Sequence, residues 1–234
     1  MTVKNMDSIS LEQNQNSAKE FVDFVEGRFG GTGIISEAVA HKSGKKFNFV
    51  RINCPPKHWL GLAKWLCFER GVNHCSMITG VHYPEQYQYG ENQPSISPGT
   101  PEKGWEVTIH LLRMPIKNPP VDKAYVLKPS DLGSEDVPLE IEVNIYLPQT
   151  DSPEIESVQS IWVGADWNEK ETWDLVGIKF KNHKNMMRVL NPHDSPAGFH
   201  PLQKQHKIRY NDHFEMYDDP QGFQRKPVDA GRTK

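Results

Sequence analysis

Residues 161–190 read IWVGADWNEKETWDLVGIKFKNHKNMMRVL, and here carboxylates, tryptophans and a helix-ending glycine are packed closest together. Glu169, Glu171 and Asp174 interleave with Trp167 and Trp173, and Gly177 follows before the apolar Ile178 and Phe180. On a helix Lys170 and Asp174 are four apart and can pair, as Glu169 and Trp173 can pack, while Glu171 and Asp174 are like-charged neighbours needing a cation nearby. A solvated helix face with a dipole benefit from the acidic residues is the plain account of the charges. The sharper one is a docking surface whose cation comes from another chain.

Upstream, Leu139, Ile141, Val143, Ile145 and Leu147 alternate with Glu140, Glu142 and Asn144, the clearest strand pattern in the chain. Trp105, Val107, Ile109 and Leu111 alternate in the same way. Phe47, Phe49 and Ile52 read as a short strand stopped by Pro55-Pro56, and 72–81 as one covered on both faces. Trp59, Leu60, Ala63, Leu66 and Cys67 recur at helical steps over 57–70, with Gly71 as the stop. Ser17 with Glu20 predicts a capping box opening a helix that carries Phe21, Val22, Phe24 and Val25. Ser152-Pro153 predicts a further helix start, with Ile155, Val158, Ile161 and Trp162 as its apolar stripe. The fold expected is α+β: an antiparallel or mixed sheet of about four strands, helices on one face, and an extended C-terminal tail.

The domain reading is a mobile N-terminus over 1–16, an α+β domain over 17–190 and a partner-binding tail over 191–234. Proline-rich loops are expected over 83–104 and 114–138. In the tail, Phe199, Leu202, Ile208, Tyr210, Phe214, Met216, Tyr217 and Phe223 are spaced too irregularly for helix or strand, as in a segment that orders against a partner.

Composition narrows the function classes. Lys+Arg 27 against Asp+Glu 30 gives net charge −3, with no electrostatic footprint for nucleic acid or an anionic membrane. No stretch approaches the roughly 18 apolar residues of a membrane span, and the polar N-terminus lacks a secretory core, so a cytoplasmic location is expected. Cys54, Cys67 and Cys75 are an odd count without framework spacing, which fits reduced thiols. The glycine cluster at 30–33 lacks the Lys-Ser/Thr of a phosphate loop and follows a helix. The ten histidines form no H-E-x-x-H helix, and Pro55-Pro56 separates Cys54 from His58. No metal, cofactor or catalytic residue is therefore expected, and too few thiols exist for an iron-sulfur cluster.

The run from Ala165 to Asp174, with Gly177-Ile178, Phe180, His183 and Arg188-Val189-Leu190, resembles the signature of the 30 kDa subunit of complex I, NADH:quinone oxidoreductase. Gly198, Pro201, Leu202 and Lys204 sit where that family has Gly-x-Pro-Leu-Arg-Lys. Departures mark a distant branch: Lys170 replaces an arginine, Trp173 a tyrosine, Leu175-Val176 Met-Phe, Asn182-His183-Lys184 Gly-His-Pro, and Gln203 an arginine. The resemblance implies a cofactor-free structural subunit in the peripheral hydrophilic arm of a respiratory quinone reductase, on the cytoplasmic face of the membrane. Its partners would be the iron-sulfur and quinone-site subunits. It also implies a partner interface at Trp167, Glu169, Glu171, Trp173, Asp174, Arg188, Pro201, Leu202 and Lys204, with Trp167 and Trp173 as anchors and the carboxylates meeting partner cations or Arg188 in cis. Relatives in deazaflavin-dependent dehydrogenases and membrane-bound hydrogenases leave the electron donor open, and a free-standing binding protein or hydrolase is the alternative.

Overall fold

The computed structural model describes residues 11–42, 46–83, 104–114 and 137–203. The 83–104 and 114–138 loops, most of the 191–234 tail and Lys204 lie largely or wholly outside them.

Alternating apolar positions build the sheet. Strands β2 (Asn48–Asn53), β3 (His74–His82), β4 (Trp105–Arg113) and β5 (Leu139–Leu147) stand where the sequence places strands, and β1 (Ile35–Ala40) joins them. Their spatial order is β1-β2-β5-β4-β3. β2 runs parallel to β5 and every other neighbouring pair is antiparallel, so the sheet is mixed, with five strands where about four were expected.

One face of the sheet is apolar. Val50, Ile52, Ile141, Val143, Val107, Ile109 and Leu111 are essentially inaccessible to water, and helices α1 (Leu11–Phe29) and α2 (Trp59–Phe68) share their core through Ala18, Phe21, Val25, Trp59, Leu62 and Leu66. Phe21 and Phe29 of α1 meet Trp65 of α2 edge-on at 6.2 and 5.2 Å between centroids, an arrangement that adds to area burial. On the opposite face lie Arg51, Glu142, His110 and Glu106, with Arg51 bound to Glu142 at 2.7 Å. Cys54, Cys67 and Cys75 are free and buried, and burial pushes their thiols up to about 12, 11 and 12.

Two expected helix starts move. α1 is already underway at Leu11, so Ser17 lies inside it. There its hydroxyl accepts from Arg113 Nη2 at 2.7 Å instead of capping a terminus. Residues 11–16, read as part of the mobile N-terminus, are helical, and buried Asn14 ties them to Asn48 through two hydrogen bonds of 2.6 and 3.1 Å. No helix starts at Pro153. Residues Glu154–Glu156 form β6, pairing in parallel with β7 (Lys179–Lys181), and the chain then turns into α3 (Ala165–Val176). The stripe of Ile155, Val158 and Trp162 is buried as read. It is reached by strand and turn because Ile155 has Phe180 as a ladder partner.

Candidate partner interface

α3 lies along β3, an edge strand of the sheet. Ala165, Glu169, Thr172 and Val176 recur at helical spacing and are all buried. Close approach depends on Gly80 of β3, where a Cβ would stand 2.8 Å from Ile178 Cδ1 and 3.0 Å from Thr172 Cγ2. Thr172 Oγ1 donates to Ile78 O at 2.9 Å, satisfying a carbonyl of the strand edge. At the far end Gly177 adopts φ 92 and donates its N–H to Trp173 O at 2.8 Å. This left-handed C-cap is strained for any residue with a Cβ.

The carboxylates of the acidic run divide sharply. Glu169 points inward, fully buried: Oε2 accepts from Ser157 Oγ at 2.6 Å and Oε1 from Val158 N at 2.7 Å. Burial raises its carboxyl to about 7 against the pull of those hydrogen bonds. The buried His183 side chain approaches with Nε2 3.9 Å from Glu169 Oε2 and 3.4 Å from Asp166 Oδ1. Asn185 N donates to His183 Nδ1 at 3.2 Å, which turns Nε2 toward the carboxylates. Lys170 pairs with Asp166 at 2.7 Å rather than with Asp174.

Asp174 is also fully buried, and it is the hub of the region. Oδ1 accepts from Arg188 Nη1 at 2.7 Å and Asn191 Nδ2 at 2.9 Å, while Oδ2 accepts from the amides of Val189, Leu190 and Asn191 at 3.1, 2.9 and 2.8 Å. Desolvation would lift this carboxyl, but the Asn191, Leu190 and Arg188 donors outweigh it and hold it far below the usual carboxylate range. Arg188 also donates to Phe199 O and Pro196 O, and Trp173 packs edge-on against His200 at 6.0 Å. Leu202 N and Gln203 Nε2 donate to Leu175 O and Val176 O at 2.9 and 2.8 Å. Residues 188–203 are thus a strap bound to the C-terminal half of α3, not a free tail.

The nine residues read as an interface therefore fall into separate groups. Glu169 and Asp174 meet partners within the chain, so neither presents charge to another polypeptide. Arg188 is spent on Asp174, so of the two cation sources expected for the carboxylates Asp174 uses the one in cis. Trp173 is half-buried between His200 and the Arg188 guanidinium, 5.6 Å from its ring, and is a contact of the strap. Trp167 remains outside at 53% exposure, its Nε1 donating to Glu171 at 2.5 Å. Pro201 is half-buried and Leu202 exposed on the strap. Sequence reasoning passed over Val163, 81% exposed in the turn that precedes α3, and Met187 and Leu190, exposed beside Arg188. An apolar residue flanking a buried one, as Val163 flanks Trp162, was the available signal. Among the described residues no group of three ligating side chains converges as a metal site requires.

The chain is thus a mixed sheet bordered by a strapped helix, with an exposed tryptophan near that helix's start. The family model for the respiratory-chain NADH dehydrogenase 30 kDa subunit matches residues 52–212, more than half of the sequence, and the chain belongs to that family. It is 42% identical over 76 residues to one of the subunits of the F(420)H(2) dehydrogenase of Methanosarcina mazei, covering 32% of this chain and 47% of that protein. It is 35% identical over 86 residues to one of the subunits of the NAD(P)H-quinone oxidoreductase of a Synechococcus species, covering 37% and 45%. The chain thus spans less than half the length of the curated relatives it matches. A chain in the solved structure of the membrane-bound sulfane sulfur reductase, an archaeal respiratory membrane complex, shares the fold at TM-score 0.53 and 15% identity, over 82% of this chain and 86% of that one. No helix among the described residues is long and apolar enough to cross a membrane.

Proposed function

We propose that this chain is a cofactor-free structural subunit of the peripheral arm of a complex I-like, quinone-reducing respiratory assembly, holding the iron-sulfur and quinone-site subunits at fixed separation on the cytoplasmic face of the membrane. Membership of the NADH dehydrogenase 30 kDa subunit family over residues 52–212 carries the reading. Its physical content is rigidity: electron transfer between cofactors on neighbouring subunits depends on distance, and a helix bonded to a sheet edge through Thr172 and pinned to its flanking turn and strap by two buried carboxylates is a stiff spacer. Trp167 with Val163 is the anchor turned toward a partner, since exposed aromatics that become buried dominate interface energetics. The 42% identity to a chain of an F(420)H(2) dehydrogenase favours a second reading, in which the electron donor is a reduced deazaflavin instead of NADH.

The test is to recover the tagged chain from membranes, identify its partners by mass spectrometry and repeat with Trp167→Ala. The variant should fold normally, because the side chain is half out in water, and association should weaken by about 2 kcal/mol or more, roughly thirtyfold. A chain that purifies alone and monomeric, or a Trp167→Ala assembly that survives a native gel unchanged, removes the anchor.

A further inference from the structure

We infer that the β1 edge of the sheet is a strand-addition site for an extended segment of a different polypeptide, one presenting a lysine or arginine opposite Glu37.

The two outer strands of the sheet are β1 and β3. An outer strand offers unpaired N–H and C=O groups to any extended chain, and folded proteins usually blunt it with proline, lysine, a bulge or a covering element. β3 is blunted twice, by a register break between Cys75 and Met77 and by α3. β1, sequence ISEAVA, has neither proline nor lysine, its register runs unbroken from Ile35 to Ala40, and α1, which packs against it, bonds to none of its main-chain groups among the described residues.

The direction of its free groups follows from the ladder. His41 N donates to Phe47 O at 2.9 Å, continuing the register in which Val39 faces Phe49 and Glu37 faces Arg51. Opposed residues of an antiparallel pair alternate between exchanging both main-chain bonds and exchanging none. Residues 35, 37 and 39 therefore bond to β2, and Ser36, Ala38 and Ala40 turn their N–H and C=O away from it. Among the described residues, these groups meet no main-chain partner. Six residues give roughly 20 Å of edge, enough for a strand of ordinary length.

Main-chain chemistry fixes the occupant as extended polypeptide, and the side chains narrow it further. Ile35 and Glu37 share one face of β1 at 65% residue and 57% side-chain exposure. The Arg51 guanidinium is committed to Glu142 at 2.7 Å and reaches Glu37 only at 3.4 Å, so Glu37 is free to take a second cation. β1 itself contains no basic residue, so a second copy of this strand cannot supply one. The fitting segment alternates, with an apolar residue near Ile35 and a cation two positions along, an instance of recognition by strand addition. This surface lies at the other margin of the sheet from α3 and does not depend on the role given to Trp167.

Hydrogen exchange on the full-length chain, alone and in the assembly recovered with it, reads the site directly. The amides of Ser36, Ala38 and Ala40 should exchange at least tenfold more slowly in the assembly. Ala38→Pro removes one outward N–H and no bond to β2, so the isolated variant should keep its circular dichroism and melting temperature while recovery of the partner falls at least tenfold. Glu37→Lys, which leaves the main chain intact, should weaken recovery several-fold. Equal exchange in the free and assembled states overturns the proposal. So does protection that appears in the purified chain alone with a dimer's mass, which would make the occupant a second copy.

Discussion

The two margins of the sheet are built on opposite plans. At β3 a glycine admits a helix and a threonine hydroxyl satisfies a strand carbonyl, while buried carboxylates at positions 169 and 174 tie that helix to the turn before it and the strap after it. At β1 the same sheet ends with the main-chain groups of Ser36, Ala38 and Ala40 turned outward. Covering an edge costs the chain polar burial, which it must satisfy group by group. Leaving an edge bare costs it the risk of wrong partners. A chain that accepts both costs closes one margin with its own helix and leaves the other to a strand from outside.

Removing the cover's fastening should have the largest effect. Asp174→Ala leaves Arg188 buried without its counter-ion and the amides of residues 189–191 without an acceptor, and breaking such a pair costs about 3–5 kcal/mol. Denaturant unfolding measures it, and proteolysis should then cut within 188–203 first. Retained stability would mean that the strap adds little to the hold on α3.

Glu169 and Asp174 should give opposite pH signatures from the same helix. Glu169 holds its proton more tightly folded than unfolded, with a value near 7 against an ordinary 4.5. Its contribution is therefore fully present below about pH 4.5 and lost as pH rises to 7, by on the order of 3 kcal/mol. Asp174, held below its ordinary range, contributes above about pH 4 and loses that contribution on acidification. Glu169→Gln should flatten the stability profile between pH 4.5 and 7 and leave the acid limb in place. A profile that keeps its slope in the variant would assign that titration to another group.

Gly80→Val should come next, at about 1–3 kcal/mol, because the added methyls meet Ile178 and Thr172 and force α3 outward. Hydrogen exchange at β3 should rise while β1 is unaffected. An equal response at both margins would mean that the sheet does not partition as described.

Much of this architecture was legible in the amino acids. LEIEVNIYL alternates because one face of β5 meets the core and the other does not, and burial follows that alternation almost residue by residue. ISEAVA gave no such signal: alanine, serine and glutamate have weak strand preference, and β1 exists because β2 offers it a ladder. Ile155, Val158 and Ile161 fall at helical steps by coincidence of a strand followed by a turn. The acidic run was recognisable as special, but which carboxylates turn inward was not, because their partners include main-chain amides, which every residue carries. Trp173 and Trp167 look alike in sequence and differ because one packs against the core beneath residues 188–203 and the other faces out.

The three sheltered thiols give this molecule built-in clocks. Cys67 sits on α2 in the main core, Cys54 just beyond the end of β2, and Cys75 beneath the turn that leads into α3, where a Cβ on Gly164 would stand 2.8 Å from Cys75 O. An alkylating reagent reaches each only when its own layer opens. If Cys75 reacts well before Cys67, the helix lifts from its strand as a unit while the rest stays shut, and the interval between the two reactions times that excursion without any label being introduced.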